Sequence, residues 1–175
     1  MTRHVRWAAV LACGLLALAC TPAPPGAGPS SSAATGWATQ GGGTTGGAGA
    51  PPTTVTSASA LASALNRAGP AVIRVSGTIR CSGMLRVASD TSVLGNAGAA
   101  IVGCGLNVTR AANVVVRNLT FRDWGDDAIN VQESQRAWVD HNTFTNGYDG
   151  AVDVKRGSDF VTVSWNRVHG HDKSM

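Results

Sequence analysis

Acidic residues are missing from the first half of this chain. None precedes Asp90, and nine of the ten stand from Asp123 onward. Carboxylates gathered into one third of a chain point to a local site. A strong basic excess is missing too. The formal net charge is +4, and loss of Arg3 and Arg6 would leave twelve basic against ten acidic residues. That balance gives no reason to expect a nucleic-acid partner. The apolar run Trp7–Ala19 is too short to span a bilayer. No serine or cysteine is arranged with a histidine as a nucleophile, so a hydrolytic triad has no support.

The N-terminus has the layout of an export signal. Arg3 and Arg6 give a positive start, and the apolar run has the length of a signal-peptide core. Leu16-Ala17-Leu18-Ala19-Cys20 resembles a bacterial lipobox, which makes Cys20 a lipidation candidate; ordinary secretory cleavage is the alternative. The expected organisation is a signal over 1–19, a flexible tether over 20–35 and a folded domain over 36–175. Thr21 to Ser32 consists of Pro, Gly, Ala, Ser and Thr and has too little apolar surface to fold. The product is expected outside the cytoplasm, secreted or lipid-anchored on a bacterial surface, with the anchor its only tie to a membrane.

From residue 114 onward the chain repeats. Val114-Val115-Val116-Arg117-Asn118-Leu119-Thr120-Phe121 matches Ala137 to Phe144 and then Val161 to Val168, in steps of 23 and 24 residues. Asp127-Ala128-Ile129-Asn130-Val131 and Gly150-Ala151-Val152-Asp153-Val154 form a second set 23 apart. A fixed pitch in this range means a stacked architecture. Each unit is a short β-branched run broken by Asn, Asp or Gly, and none carries a helix-length apolar period. The expected fold is all-β, a parallel β-helix whose coils bury their inner faces by stacking. Ala71 to Ile79, Leu85-Arg86-Val87 and Ser92-Val93-Leu94 read as further strands. One helix is expected, with its cap at Thr56-Ser57-Ala58-Ser59 and a stripe of Leu61, Leu65 and Ala68, ended by Gly69-Pro70. It would cover the open N-terminal end of the core.

Cys81 and Cys104 are also 23 residues apart, one coil. A disulfide between adjacent rungs is therefore expected, over a metal or nucleophile pair, since no His or Asp lies near either in sequence.

Asp127, Asp149 and Asp153 are the metal candidates. A hard cation such as Ca²⁺ takes several oxygen ligands and tolerates irregular geometry. Adjacent strands lie about 4.8 Å apart, so carboxylates on neighbouring rungs can converge. Asp149 and Asp153 would be about 13 Å apart on an extended strand, and share an ion only if the chain bends at Gly150. On residue type alone, aspartates that cap turns are the competing reading. Lys155, Lys173 and the pair His169 and His171 add cationic groups that could hold the carboxylates of an anionic ligand.

These motifs together resemble the pectate lyases of polysaccharide lyase family one. The resemblance runs from Gly36-Trp37-Ala38-Thr39 and Thr44-Thr45-Gly46-Gly47 through Val72 to Ile79, Asn113 to Leu119 and Trp138-Val139-Asp140-His141. It continues through Asp153-Val154-Lys155 and Val161 to Trp165, ending at His171-Asp172-Lys173-Ser174-Met175. The glycine-rich run after Gly41 then belongs to the domain. The resemblance implies a right-handed parallel β-helix that cleaves polygalacturonate by β-elimination with Ca²⁺. It implies Asp127, Asp149 and Asp153 as metal ligands, which overrides the capping reading. Lys173 matches the lysine that holds the substrate carboxylate, Lys155 stands at a further family lysine, and Asp140 and His141 match a structural motif beside the groove. The family's base is an arginine in an Arg-x-Pro-x-x-Arg segment, and no arginine here stands in one. Family members are roughly twice this long. The chain is therefore expected to be the first half of a lyase domain, incomplete at its C-terminus, with Phe160 to Val168 as an uncapped last rung and little or no lyase activity. A complete domain would be a monomer. The rival readings are a polygalacturonase, which Gly125-Asp126-Asp127 echoes, a calcium-independent pectin lyase, a tethered non-catalytic polyuronate-binding module, and a degenerate fragment.

Overall fold

The computed structural model describes residues 33–175. The export signal, Cys20 and all but the last three residues of the tether lie outside the described residues. No helix among the described residues is long and apolar enough to cross a membrane.

The described chain winds into a parallel β-helix with three strand-bearing faces. The first face stacks β1 (Pro52–Val55), β2 (Ala71–Val75), β4 (Thr91–Gly95), β6 (Ala112–Arg117), β9 (Gln135–Asp140) and β12 (Asp159–Ser164) in that order. Two long strands, β3 (Thr78–Arg86) and β5 (Ala100–Thr109), turn a corner and serve both remaining faces. Their opening halves begin the second face, continued by β7 (Thr120–Arg122), β10 (Thr143–Thr145) and β13 (Arg167–His169). Their closing halves begin the third, continued by β8 (Ile129–Gln132) and β11 (Val152–Lys155). Every pairing is parallel. Val116 pairs with Val139 and Val139 with Val163, so the repeat read in the sequence is the stacking register.

Side chains that alternate inward form one continuous core. Ile101, Phe121 and Phe144 stack through successive rungs of the second face, the two phenyl rings 5.3 Å apart. Leu106, Ile129 and Val152 do the same on the third. No single rung could hide these groups; each is buried by its neighbours. Asparagines bind the corners. Asn142 donates to Val116 O at 3.0 Å and accepts from Leu119 N–H at 3.1 Å, and Asn166 repeats the pattern one rung later with Val139 O at 2.9 Å and Asn142 N–H at 2.8 Å. These bonds satisfy backbone groups that the turn takes out of the ladder. The corner after each of β6, β9 and β12 holds a left-handed residue: Asn118, His141 and Trp165 have φ of 59, 53 and 51°. The left-handed conformation at this corner costs roughly 1–2 kcal/mol where the residue is His141 or Trp165 rather than Gly, Asn or Asp.

The helix α1 (Ala58–Leu65) starts at Ser57, whose Oγ accepts from Ala60 N–H at 3.3 Å. It buries Leu61 and Leu65 in the core, as expected of an end cap. Ala68, expected in the same stripe, lies beyond the helix and is exposed; the helix stops at Asn66, before the stripe is complete. The strand expected over Ala71 to Ile79 is two strands. Ser76-Gly77 turns a corner, with Gly77 at φ 72°, because the second rung leaves the first face there. Cys81 and Cys104 form a disulfide across β3 and β5, Cα atoms 5.2 Å apart.

The glycine-rich N-terminal segment lies along the first face. It begins with a 3-10 turn at Gly36–Thr39, next to β12, and runs back toward β2. Ala38 N–H donates to Thr162 Oγ1 at 2.9 Å, Arg136 donates to Gly41 O at 3.1 Å, Asn113 Oδ1 accepts from Gly46 N–H at 2.8 Å, and Ser92 Oγ accepts from Gly47 N–H at 3.1 Å. The strap therefore crosses four rungs. It covers Val115 and Trp138, the outward residues of β6 and β9, with Ala38. Both sides of these strands are buried, which is why Val114-Val115-Val116 reads as an unbroken apolar run rather than an alternation.

Candidate functional site

The acidic residues meet at the edge of the third face, in the turns that enter β8 and β11. Those turns are one rung apart and bonded to each other: Asp149 N–H donates to Asp126 O at 3.1 Å, and Ala128 N–H to Gly150 O at 2.9 Å. Trp124 fixes the pair from below. Its indole is buried, its Nε1 donates to Asp149 O at 3.2 Å, and its ring packs edge-on to Phe144. Gly147 lies so close over that ring that a Cβ there would stand 1.8 Å from it.

In this frame the carboxylates of Asp126, Asp127 and Asp149 bring ligand oxygens within 4.8 Å of one another. Asp127 is almost fully buried, Asp126 is exposed and the Asp149 side chain is half-exposed. Burial is the largest influence on Asp127 and raises its pKa above the usual carboxylate value. The hydrogen bond from Lys155 opposes this, and the charges of Asp153 and Asp126 reinforce it.

Asp153 is not part of that trio. It points outward from β11 toward Asp127, and Lys155 joins the two, with Nζ 3.2 Å from Asp127 Oδ2 and 3.2 Å from Asp153 Oδ2. Burial alone would lower the Lys155 pKa; its bonds to Asp127 and Asp153 outweigh that and raise it. Gly150 is essential to this arrangement. A Cβ there would lie 2.2 Å from Asp153 Oδ1 and 3.1 Å from Asp127 Oδ1. Gly150 thus stands where a side chain would displace Asp153. Lys173 Nζ stands 3.5 Å from Asp149 Oδ1 and 5.5 Å from the ring centroid of Tyr148. His171 packs edge-on to Trp124, while His169 is exposed on β13.

Of the residues singled out in the sequence, Asp127, Asp149, Asp153, Lys155 and Lys173 thus occupy one patch. Asp126, Trp124, Gly147 and Tyr148 also belong to it. Asp126 sits beside Asp127 in the sequence, but nothing in the repeat says that both carboxylates turn to one side. Asp140 and His141 lie elsewhere, at the corner after β9. Asp140 is buried and accepts from Arg117 Nε at 2.8 Å and from Ser164 Oγ at 2.6 Å, and its Oδ2 lies 2.6 Å from His141 Nδ1. The Arg117 guanidinium in turn lies 4.2 Å over the Trp138 ring. This network is fully partnered and reads as structural.

The oxygen-only donor set, gathered on a rigid flank, suits a hard divalent cation. A family model for pectate lyases matches residues 7–175. The chain belongs to the pectate lyase family. Similar proteins agree with this membership. A pectate trisaccharide-lyase of Thermotoga maritima is 42% identical over 118 residues, which is 60% of this chain and 32% of that protein. A pectate lyase of Emericella nidulans is 40% identical over 155 residues, 82% of this chain and 47% of that protein. A Bacillus pectate lyase solved in complex with trigalacturonate superposes with a TM-score of 0.69 at 25% identity, over 79% of this chain and 56% of the other. The pectate lyase domain described here therefore spans about a third to a half of the length of these curated relatives.

Proposed function

We propose that this chain supplies the calcium- and uronate-binding flank of a pectate lyase acting on polygalacturonate. The observation that carries the reading is the convergence of Asp126, Asp127 and Asp149, with Asp153 and two lysines beside them, in a chain of this family. The donor atoms fit a hard cation: all are carboxylate oxygens, and burial raises the pKa of one of them, Asp127, even with Lys155 beside it. Asp127, Asp149 and Asp153 would hold Ca²⁺, with Asp126 as a further oxygen donor. Calcium bound there would withdraw charge from a uronate carboxylate and make the neighbouring C5–H more acidic.

The residues of the chain have distinct tasks in that reading. Lys155 keeps the carboxylates of Asp127 and Asp153 pointed at one place. Lys173 is on the open side and would reach a substrate carboxylate by leaving Asp149, where it would stabilise the negative charge that grows on that uronate when a base takes its C5 proton. Trp124 and Gly147 hold the two acidic turns in register, so the site needs little reorganisation. Export through residues 1–19, anchoring at Cys20 and action as a monomer belong to the same proposal and fit a polymer substrate found outside the cell.

Because the chain spans only part of its relatives' length, the test reads binding. Electrophoresis of the full chain through gels containing polygalacturonate should show retardation with Ca²⁺. Chelation or Asp127→Asn should abolish it. Mobility that is unaffected by polygalacturonate in the presence of Ca²⁺ would overturn the reading.

A further inference from the structure

Tyr148 is the only tyrosine of the chain, and the residue is 72% exposed. An aromatic ring in water gives up favourable burial, so its placement here needs a reason. The ring is not on a loose loop. Tyr148 N–H donates to Trp124 O at 2.9 Å, the preceding Gly147 is pressed flat on the Trp124 indole, and the following Asp149 is a member of the carboxylate trio. The backbone that carries the ring is thus fixed by the same contacts that build the site. Lys173 Nζ lies 5.5 Å from its centroid and 3.5 Å from Asp149. An exposed aromatic face and an ammonium therefore stand side by side at the rim.

That pairing matches a sugar acid. One face of a pyranose presents C–H groups with partial positive charge, which pack on the negative face of an aromatic ring. A uronate adds a carboxylate at the ring edge, where an ammonium can reach it. We propose that Tyr148 is a sugar-stacking residue of this site: its ring takes the C–H face of one uronate residue, whose carboxylate goes to Lys173. The proposal rests on the uronate reading above and adds a subsite to it.

Trigalacturonate with Ca²⁺ is the probe. The single tyrosine gives one set of ring resonances in the proton NMR spectrum of the full chain, and these should shift on titration. Tyr148→Ala should weaken trigalacturonate binding about tenfold, the equivalent of one aromatic stacking contact. Tyr148→Phe and Tyr148→Trp should retain affinity, since the face and not the hydroxyl is used. Tyr148 is exposed, so these variants keep the fold. If the unsubstituted chain binds trigalacturonate, and Tyr148→Ala binds it equally well, the stacking role is overturned while the uronate reading stands. If the unsubstituted chain does not bind at all, both fall together.

Discussion

Lys155 Nζ stands 3.2 Å from Asp127 Oδ2, an ammonium set against a buried carboxylate that burial otherwise keeps from ionising easily. A lysine in that position performs part of a cation's task. Replacing it should raise the demand for a cation. Lys155→Met should lower the thermal midpoint in chelator and enlarge the rise on adding Ca²⁺. For the unsubstituted chain, that rise corresponds to about 2.7 kcal/mol when calcium is at 100 times its Kd. Asp127→Asn should show no calcium-induced rise. Calorimetric melts with and without Ca²⁺ check both.

Gly150→Ala tests the geometry independently of charge. The added methyl would stand 2.2 Å from Asp153 Oδ1, so the carboxylate must turn away while the backbone stays. The fold should survive, and calcium affinity should fall on the order of tenfold, as when a supporting group of a metal site is lost. Circular dichroism and calcium titration calorimetry separate the two effects. An unchanged affinity would mean that Asp153 has no part in holding the ion.

The asparagine corners make a prediction about stability. Asn142 is buried and serves Val116 O and Leu119 N–H at once. Asn142→Ala strands both backbone groups, and a loss of about 2–4 kcal/mol is expected from two unsatisfied buried polar groups. Asn166→Ala, on the more exposed rung, should cost less. Urea unfolding of the two variants gives the comparison.

Acid should loosen the strap. Asp159 Oδ1 accepts from Trp37 Nε1 at 2.8 Å and from Phe160 N–H at 2.7 Å, and these two bonds, in that order, hold its pKa below the ordinary 3.8. A carboxylate lowered on folding adds stability above its unfolded pKa, and that stability disappears as pH falls through the folded value. Between about pH 5 and about pH 3 the unsubstituted chain should therefore lose more thermal stability than Asp159→Asn. Equal losses would show that the Trp37 contact does not depend on the charge.

The rungs were legible in the sequence because stacking repeats the same inward residue one coil later. Phe121 and Phe144 are the plainest case: 23 residues apart, and paired in the fold. The corners were less legible. Gly77 turns the chain between β2 and β3 inside a stretch that reads as one strand, and its positive φ marks the turn. The strap has the same composition as a tether, and only the family resemblance assigned it to the domain. What fixes it is a set of polar side chains, Asn113, Ser92, Arg136 and Thr162, far away in sequence. Within the site, Asp127, Asp149, Asp153, Lys155 and Lys173 were found from spacing and resemblance to the family. Asp126 and Tyr148 were not, since the direction of a side chain in a tight turn is set by the rung beneath it and not by its own neighbours.

The most direct test is anomalous X-ray diffraction from crystals of the chain grown with a lanthanide in place of Ca²⁺. The account predicts one strong peak beside Asp127, coordinated by Asp149 and lost in Asp127→Asn. A peak that lies only on surface carboxylates away from Asp127, or none at all, would contradict it.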